Sequence, residues 1–176
     1  MLNSAQMLSQ SGLTRSGWIS VLAKARLPEL EAGVATLGAL PTYEFLRSPE
    51  IGLAMVRGRA EGTGQPFNLG EMTITRCVVQ LVPATAATSA STSTESNQSD
   101  QPAPLTGFGY VAGRSQRHAE LAAVCDALLQ QADWRAWVEQ QVLQPLQSSA
   151  QAAQQAAAAE VESTRVNFFT LLRGDG

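Results

Sequence analysis

The stretch from Gly107 to Gln130 constrains the fold more than any other part of the chain. Phe108, Tyr110 and Val111 are strand formers. Gly113 breaks that pattern, and Ser115 stands where a helix N-cap belongs. Leu121, Val124, Cys125, Leu128 and Leu129 then recur at i, i+3, i+4, i+7 and i+8, the apolar stripe of one helix. The segment reads as strand, glycine turn and helix. Arg114 precedes the helix, and Arg117 and the chain's single histidine, His118, fall in its first turn. A helix start offers unpaired N–H groups and a positive dipole end, both suited to an anion. These residues therefore mark a candidate phosphate-facing corner. The competing reading is a solvated helix start with the histidine as a cap.

Before this unit, Ser16 can cap a helix from Gly17 to about Arg26, with Trp18, Val21, Leu22 and Ala25 on one face. Pro28 starts a second helix in the favoured first turn, with Leu30, Val34 and Leu37 as its stripe and Gly38 as a left-handed cap. Together they predict a helical hairpin. Tyr43 to Arg47 reads as a strand, Ser48-Pro49-Glu50 as a turn and Ile51 to Ala60 as a second strand. On that second strand Ile51, Leu53, Met55, Arg57 and Arg59 share one side. The other side, Gly52, Ala54, Val56, Gly58 and Ala60, is small enough for a helix to pack closely. Gln65 to Leu69 reads as irregular and Glu71 to Val82 as the strongest strand. There Met72, Ile74, Arg76 and Val78 oppose Thr73, Thr75, Cys77, Val79 and Leu81. Broken alternation near Val78 suggests cover on both faces, so Arg76 needs a carboxylate, a partner subunit or a ligand phosphate.

After the central unit, Asp133 can cap a helix carrying Trp134, Trp137, Val138 and Val142, which Pro145 bends or ends. Gln147 to Thr164 is an Ala- and Gln-rich helix former with little to bury by itself. Near the C-terminus, Phe168, Phe169, Leu171 and Leu172 need cover and are candidates for docking on a partner. Residues 84–104 hold Ser, Thr, Ala and Pro with no large apolar side chain, a disordered low-complexity loop. Residues 1–15 read as a disordered N-terminal extension. The expected architecture is a single α+β domain over 16–176: an N-terminal helical hairpin, a mostly antiparallel sheet of about four strands, and C-terminal helices.

Composition narrows the function. The chain has 176 residues, and 15% of them are charged, against ~25% for an average soluble protein. Such a surface suits burial against partners. The net charge of −3 and the absence of a basic patch make nucleic acid an unsuitable main partner. Apart from Lys24, every one of the twelve cationic side chains is an arginine, the residue of bidentate carboxylate and phosphate contacts. Cys77 and Cys125 lie in apolar runs and read as small buried hydrophobes in a reducing cytoplasm. No run approaches the ~20 apolar residues of a membrane span. The P-loop, GxSxG, HExxH and GxGxxG patterns are all missing. One histidine and two separated cysteines do not make a metal site. A self-contained enzyme is therefore not expected, and Gly107-Phe-Gly109 is too short a match to count.

The chain resembles the G-subunit family of the bacterial carbon–phosphorus lyase system. The likeness runs from about Ser16 to Asp175. It rests on Trp18-Ile-Ser-Val-Leu-Ala, Gly62-Thr-Gly with Phe67, Gly70-Glu-Met-Thr-Ile-Thr-Arg76, Gly113-Arg-Ser-Gln-Arg-His118-Ala-Glu120 followed by Asp126-Ala-Leu, and Arg165-Val-Asn-Phe-Phe-Thr170 with Arg173-Gly-Asp175. The 84–104 insert is longer than the family's usual connection, and Asn167 stands where the family often has an acidic residue. The resemblance implies a cytoplasmic core complex with H, I and J subunits, working with an ATP-binding L subunit. It implies transfer of the ribose triphosphate of ATP onto methylphosphonate. Adenine leaves, and alpha-D-ribose 1-methylphosphonate 5-triphosphate forms. MgATP is then a substrate of the complex, and this chain alone holds no cofactor or metal and is inactive. If the chain touches substrate, Arg76, Arg114, Arg117 and His118 are the candidates. The alternatives are a pure scaffold subunit and a standalone phosphate- or nucleotide-binding protein.

Overall fold

The computed structural model describes residues 13–82 and 104–165. The chain starts with helix α1 (Arg15–Lys24) and helix α2 (Leu27–Thr36). Three strands follow: β1 (Tyr43–Arg59), β2 (Pro66–Leu81) and β3 (Thr106–Ala112). Helix α3 (Gln116–Leu129) leads into α4 (Ala132–Val138), a π-helical turn at Glu139–Leu143, and α5 (Gln144–Ser163). This is an α+β fold whose sheet runs β1-β2-β3, antiparallel throughout.

Among the described residues the sheet has three strands where about four were expected. The proposed Ser48-Pro49-Glu50 turn does not reverse the chain. β1 runs straight through it, with register shifts between Phe45 and Glu50. An irregularity there accommodates Pro49, which lacks the N–H a ladder position needs. Of the segment expected to be irregular, Gln65 to Leu69, all but Gln65 opens β2, and Leu69 bulges out between Asn68 and Gly70. Gly70 has φ 146°, a conformation L side chains rarely adopt. Helix α1 also begins earlier than expected: Thr14, not Ser16, caps it, accepting from Gly17 N.

Helix α3 is the centre of the molecule. Every residue from Leu121 to Leu129 is buried, as in a helix surrounded by other elements. One side lies on β2 and β3, and the other meets α1, α2 and α4. Close approach to the sheet is a matter of small residues. A Cβ on Gly109 would sit 1.9 Å from Ala119 O, and one on Gly107 would sit 2.0 Å from Ala123 O. Ala119, Ala123 and Ala127 recur every fourth residue and form the helix face over these glycines. The Gly-Phe-Gly motif is thus a packing device, while Phe108 and Tyr110 point away from the helix.

Only one face of the sheet is covered among the described residues. Thr75, Cys77, Val79 and Leu81 are buried under α3, and no helix covers the opposite side. Among the described residues, the expected cover on both faces of β2, and the expected helix against Gly52, Ala54 and Val56, are not found. Apolar residues alternate into both faces, but the helical layer supplies only one. The apolar tail residues Phe168, Phe169, Leu171 and Leu172 lie outside the described residues, as does nearly all of the 84–104 segment.

Candidate functional site

Ser115 caps α3 as its position suggested, accepting from the His118 N–H. The first turn, however, sends its side chains in different directions. His118 is buried, and its Nε2–H donates to Leu22 O at 2.8 Å, tying α3 to α1. Arg117 lies on the outside of α3, 3.1 Å from Glu120 and 3.8 Å from Glu31 of α2. The hydrogen bond to Glu120 raises the Arg117 pKa further above its ordinary value. Arg114 is exposed, directly after Gly113 (φ 94°), and meets no carboxylate among the described residues.

Arg76 lies on the uncovered face of the sheet. Its partner is a carboxylate of this chain: Arg76 Nε donates to Glu50, which also receives Arg47 Nη1 at 2.7 Å. Both guanidinium groups hold the Glu50 carboxyl below its usual range. Glu50 and Arg76 are cross-strand partners in the ladder, which is why the pair forms. The four candidate residues therefore do not converge. His118 is turned into the core, Arg117 faces α2, Arg76 occupies the far face of the sheet, and Arg114 remains at the β3–α3 turn.

Two further networks were not legible as such in the sequence. Asp126 is fully buried and accepts four hydrogen bonds: from Arg15 Nε and Nη2 at 3.2 and 2.7 Å, Trp18 Nε1 at 2.8 Å and Phe108 N at 2.9 Å. The available signal was an Asp inside an apolar helical run. Tyr43 donates to Glu120 at 2.7 Å. Burial first, and then this hydrogen bond, push the phenol up to about 12. Both networks join the N-terminal half of the chain to α3, so they are positioning devices.

No set of three or more metal-ligating side chains comes together among the described residues. None of the described helices is long and apolar enough to cross a membrane. A shallow cleft between α1, α2 and α5 carries mixed charge from Lys24, Arg26 and Glu29 beside Gln147 and Gln154. A smaller one, beside Arg117, is lined by Glu31, Val34, Gly38 and Leu121. Neither contains a nucleophile paired with a base.

Against this background, residues 13–174 match the family described as phosphonate metabolism protein PhnG. The chain belongs to the PhnG family. A relative in Rhizobium meliloti (strain 1021), the alpha-D-ribose 1-methylphosphonate 5-triphosphate synthase subunit PhnG, is 35% identical over 176 residues. The alignment covers 99% of each chain. A PhnG chain is thus a part of phosphonate metabolism. The relative's name as a subunit agrees with a sheet that has one face uncovered among the described residues. Within the PhnG fold, two of the motifs that carried the resemblance meet directly: Trp18 of the first and Asp126 of the fourth.

Proposed function

We propose that the chain is a non-autonomous subunit of the carbon–phosphorus lyase core complex in the cytoplasm. With its H and I partners and the ATP-binding L subunit, it supports transfer of the ribose triphosphate of ATP to methylphosphonate, with release of adenine. The J subunit completes the core. The observation that carries this reading is the likeness, over nearly the whole chain, to a subunit of that synthase. The sheet face left uncovered among the described residues supports a part played within an assembly.

Within that reading, Arg114 is the side chain offered to a substrate phosphate. It stands at the start of a 14-residue helix whose N–H groups and dipole favour an anion. No carboxylate among the described residues neutralises it. A pure scaffold is the second reading, and one observation favours it: Arg76 and Arg117 are already paired with Glu50, Glu120 and Glu31.

Titration of the isolated chain with MgATP tests the subunit reading. The heat expected is indistinguishable from dilution. A monomer that binds MgATP tightly by itself would instead support a standalone nucleotide-binding protein.

A further inference from the structure

The β1–β2 ladder extends well beyond the rest of the fold. β3 pairs with β2 only from Ile74 to Gln80, and the α3 layer ends where Thr75 Oγ1 donates to Gly113 O. From Leu53 and Thr73 outward, β1 and β2 form ladder pairs only with each other, as far as Arg59 and Pro66. Seven residues of strand, Leu53 to Arg59, reach about 20 Å. Isolated two-stranded hairpins are marginal in water at best, and this one exposes the side chains that would have to stabilise it. Ile51, Leu53 and Met55 are 49%, 65% and 50% exposed and share the side on which α3 lies, just past its end.

Charge frames this apolar stripe. Arg57 and Arg59 continue it toward the tip, with no carboxylate partner among the described side chains. Arg114 follows Gly113 at its foot. Glu71, opposite Met55, is the acid alongside the stripe. Among the described side chains, Arg57 and Arg59 stand against the single glutamate Glu71 at an exposed apolar surface, which calls for a partner with apolar side chains beside carboxylates.

We propose that this hairpin is a docking arm. Its Ile51–Leu53–Met55 stripe seats on an apolar surface of another subunit of the synthase, with that subunit's carboxylates meeting Arg57 and Arg59. The proposal rests on the subunit reading above. A second copy of this chain fits poorly. Antiparallel stacking of two stripes would lay each pair of arginines over apolar side chains, and parallel stacking would oppose the arginines. The chain's own residues 166–176 offer one aspartate and one arginine, which do not complement the Arg57–Arg59 pair.

The test uses the complex assembled from co-expressed subunits, with a photo-crosslinking amino acid in place of Leu53. A crosslink to another subunit is expected. In the Arg57→Glu/Arg59→Glu variant, assembly weakens by at least about tenfold while the circular dichroism of the isolated chain is unchanged. A crosslink to a second copy or to residues 166–176, the absence of any crosslink, or assembly unaffected by the double reversal would each overturn the proposal. Adenine release by the wild-type mixture is read separately. Release without a crosslink at Leu53 removes the docking arm and leaves the subunit reading standing. A crosslink to another subunit without release keeps the arm and removes the transferase reading.

Discussion

The Trp18 indole N–H donates to the Asp126 carboxylate at 2.8 Å, across 108 residues of sequence and inside the core. The same carboxylate holds Arg15 and the backbone N–H of Phe108, so one side chain joins α1, β3 and α3. An uncompensated set of buried donors is costly. Asp126→Ala is expected to lower the unfolding free energy by about 3–5 kcal/mol. Trp18→Phe, which leaves the carboxylate its other partners, is expected to cost about 1 kcal/mol in hydrogen bonding. Urea unfolding of both variants checks the order, and equal losses would contradict it.

The glycines of β3 are a second point of sensitivity. Gly109→Ala places a Cβ within 2 Å of a helix carbonyl that has no room to move aside, so α3 must lift from the sheet. A loss of about 1–3 kcal/mol or more is expected. Gly38→Ala meets nothing within 4 Å and carries only the cost of φ 75°, about 1 kcal/mol. Thermal melts of the two single variants decide whether space or backbone conformation dominates.

Much of this fold was legible beforehand, and what was missed has a physical pattern. The two N-terminal helices, the Ser115 cap and the burial of Cys77 and Cys125 follow from local periodicity and capping. The merging of two strands into β1 does not, because pairing with β2 overrides the turn chemistry of Ser48-Pro49-Glu50. The sequence reading expects Arg76 to be a buried charge, whereas the side chain is half-exposed and only the ladder register shows that Glu50 pairs with it. The corner around His118 misled for a related reason. Sequence places Arg114 just before the helix and Arg117 and His118 in its first turn, whereas the 100° step between helical residues sends Arg117 toward α2 and His118 to the core, and Arg114 stays exposed at the β3–α3 turn.

His118 and Arg114 should therefore behave differently. His118→Ala removes a buried bond between α3 and α1. It is expected to cost about 1–3 kcal/mol of stability while leaving the KM for ATP of the assembled complex unchanged. Arg114→Ala is expected to leave the melting temperature unchanged and to raise that KM several-fold. If neither variant alters ATP dependence, Arg114 has no phosphate role and the scaffold reading gains.

Stability should fall in alkali. Burial pushes the Cys125 thiol up to about 12 and Cys77 to about 11, and Tyr43 also sits at about 12. All three groups hold their protons more tightly folded than unfolded, so their contribution is complete below the unfolded values near 9 and 10. It is lost as pH rises through the folded ones. Denaturant midpoints are expected to decline steadily between pH 9 and 12. A thiol reagent at pH 8 should label neither cysteine until the chain unfolds. Rapid labelling of native protein would show that α3 opens far more readily than its packing implies.

The most direct measurement is adenine release from MgATP and methylphosphonate, run with this chain alone, with the H, I and L subunits alone, and with all four. Release only in the complete mixture is the result the account predicts. Full release by the H, I and L subunits without this chain would contradict it.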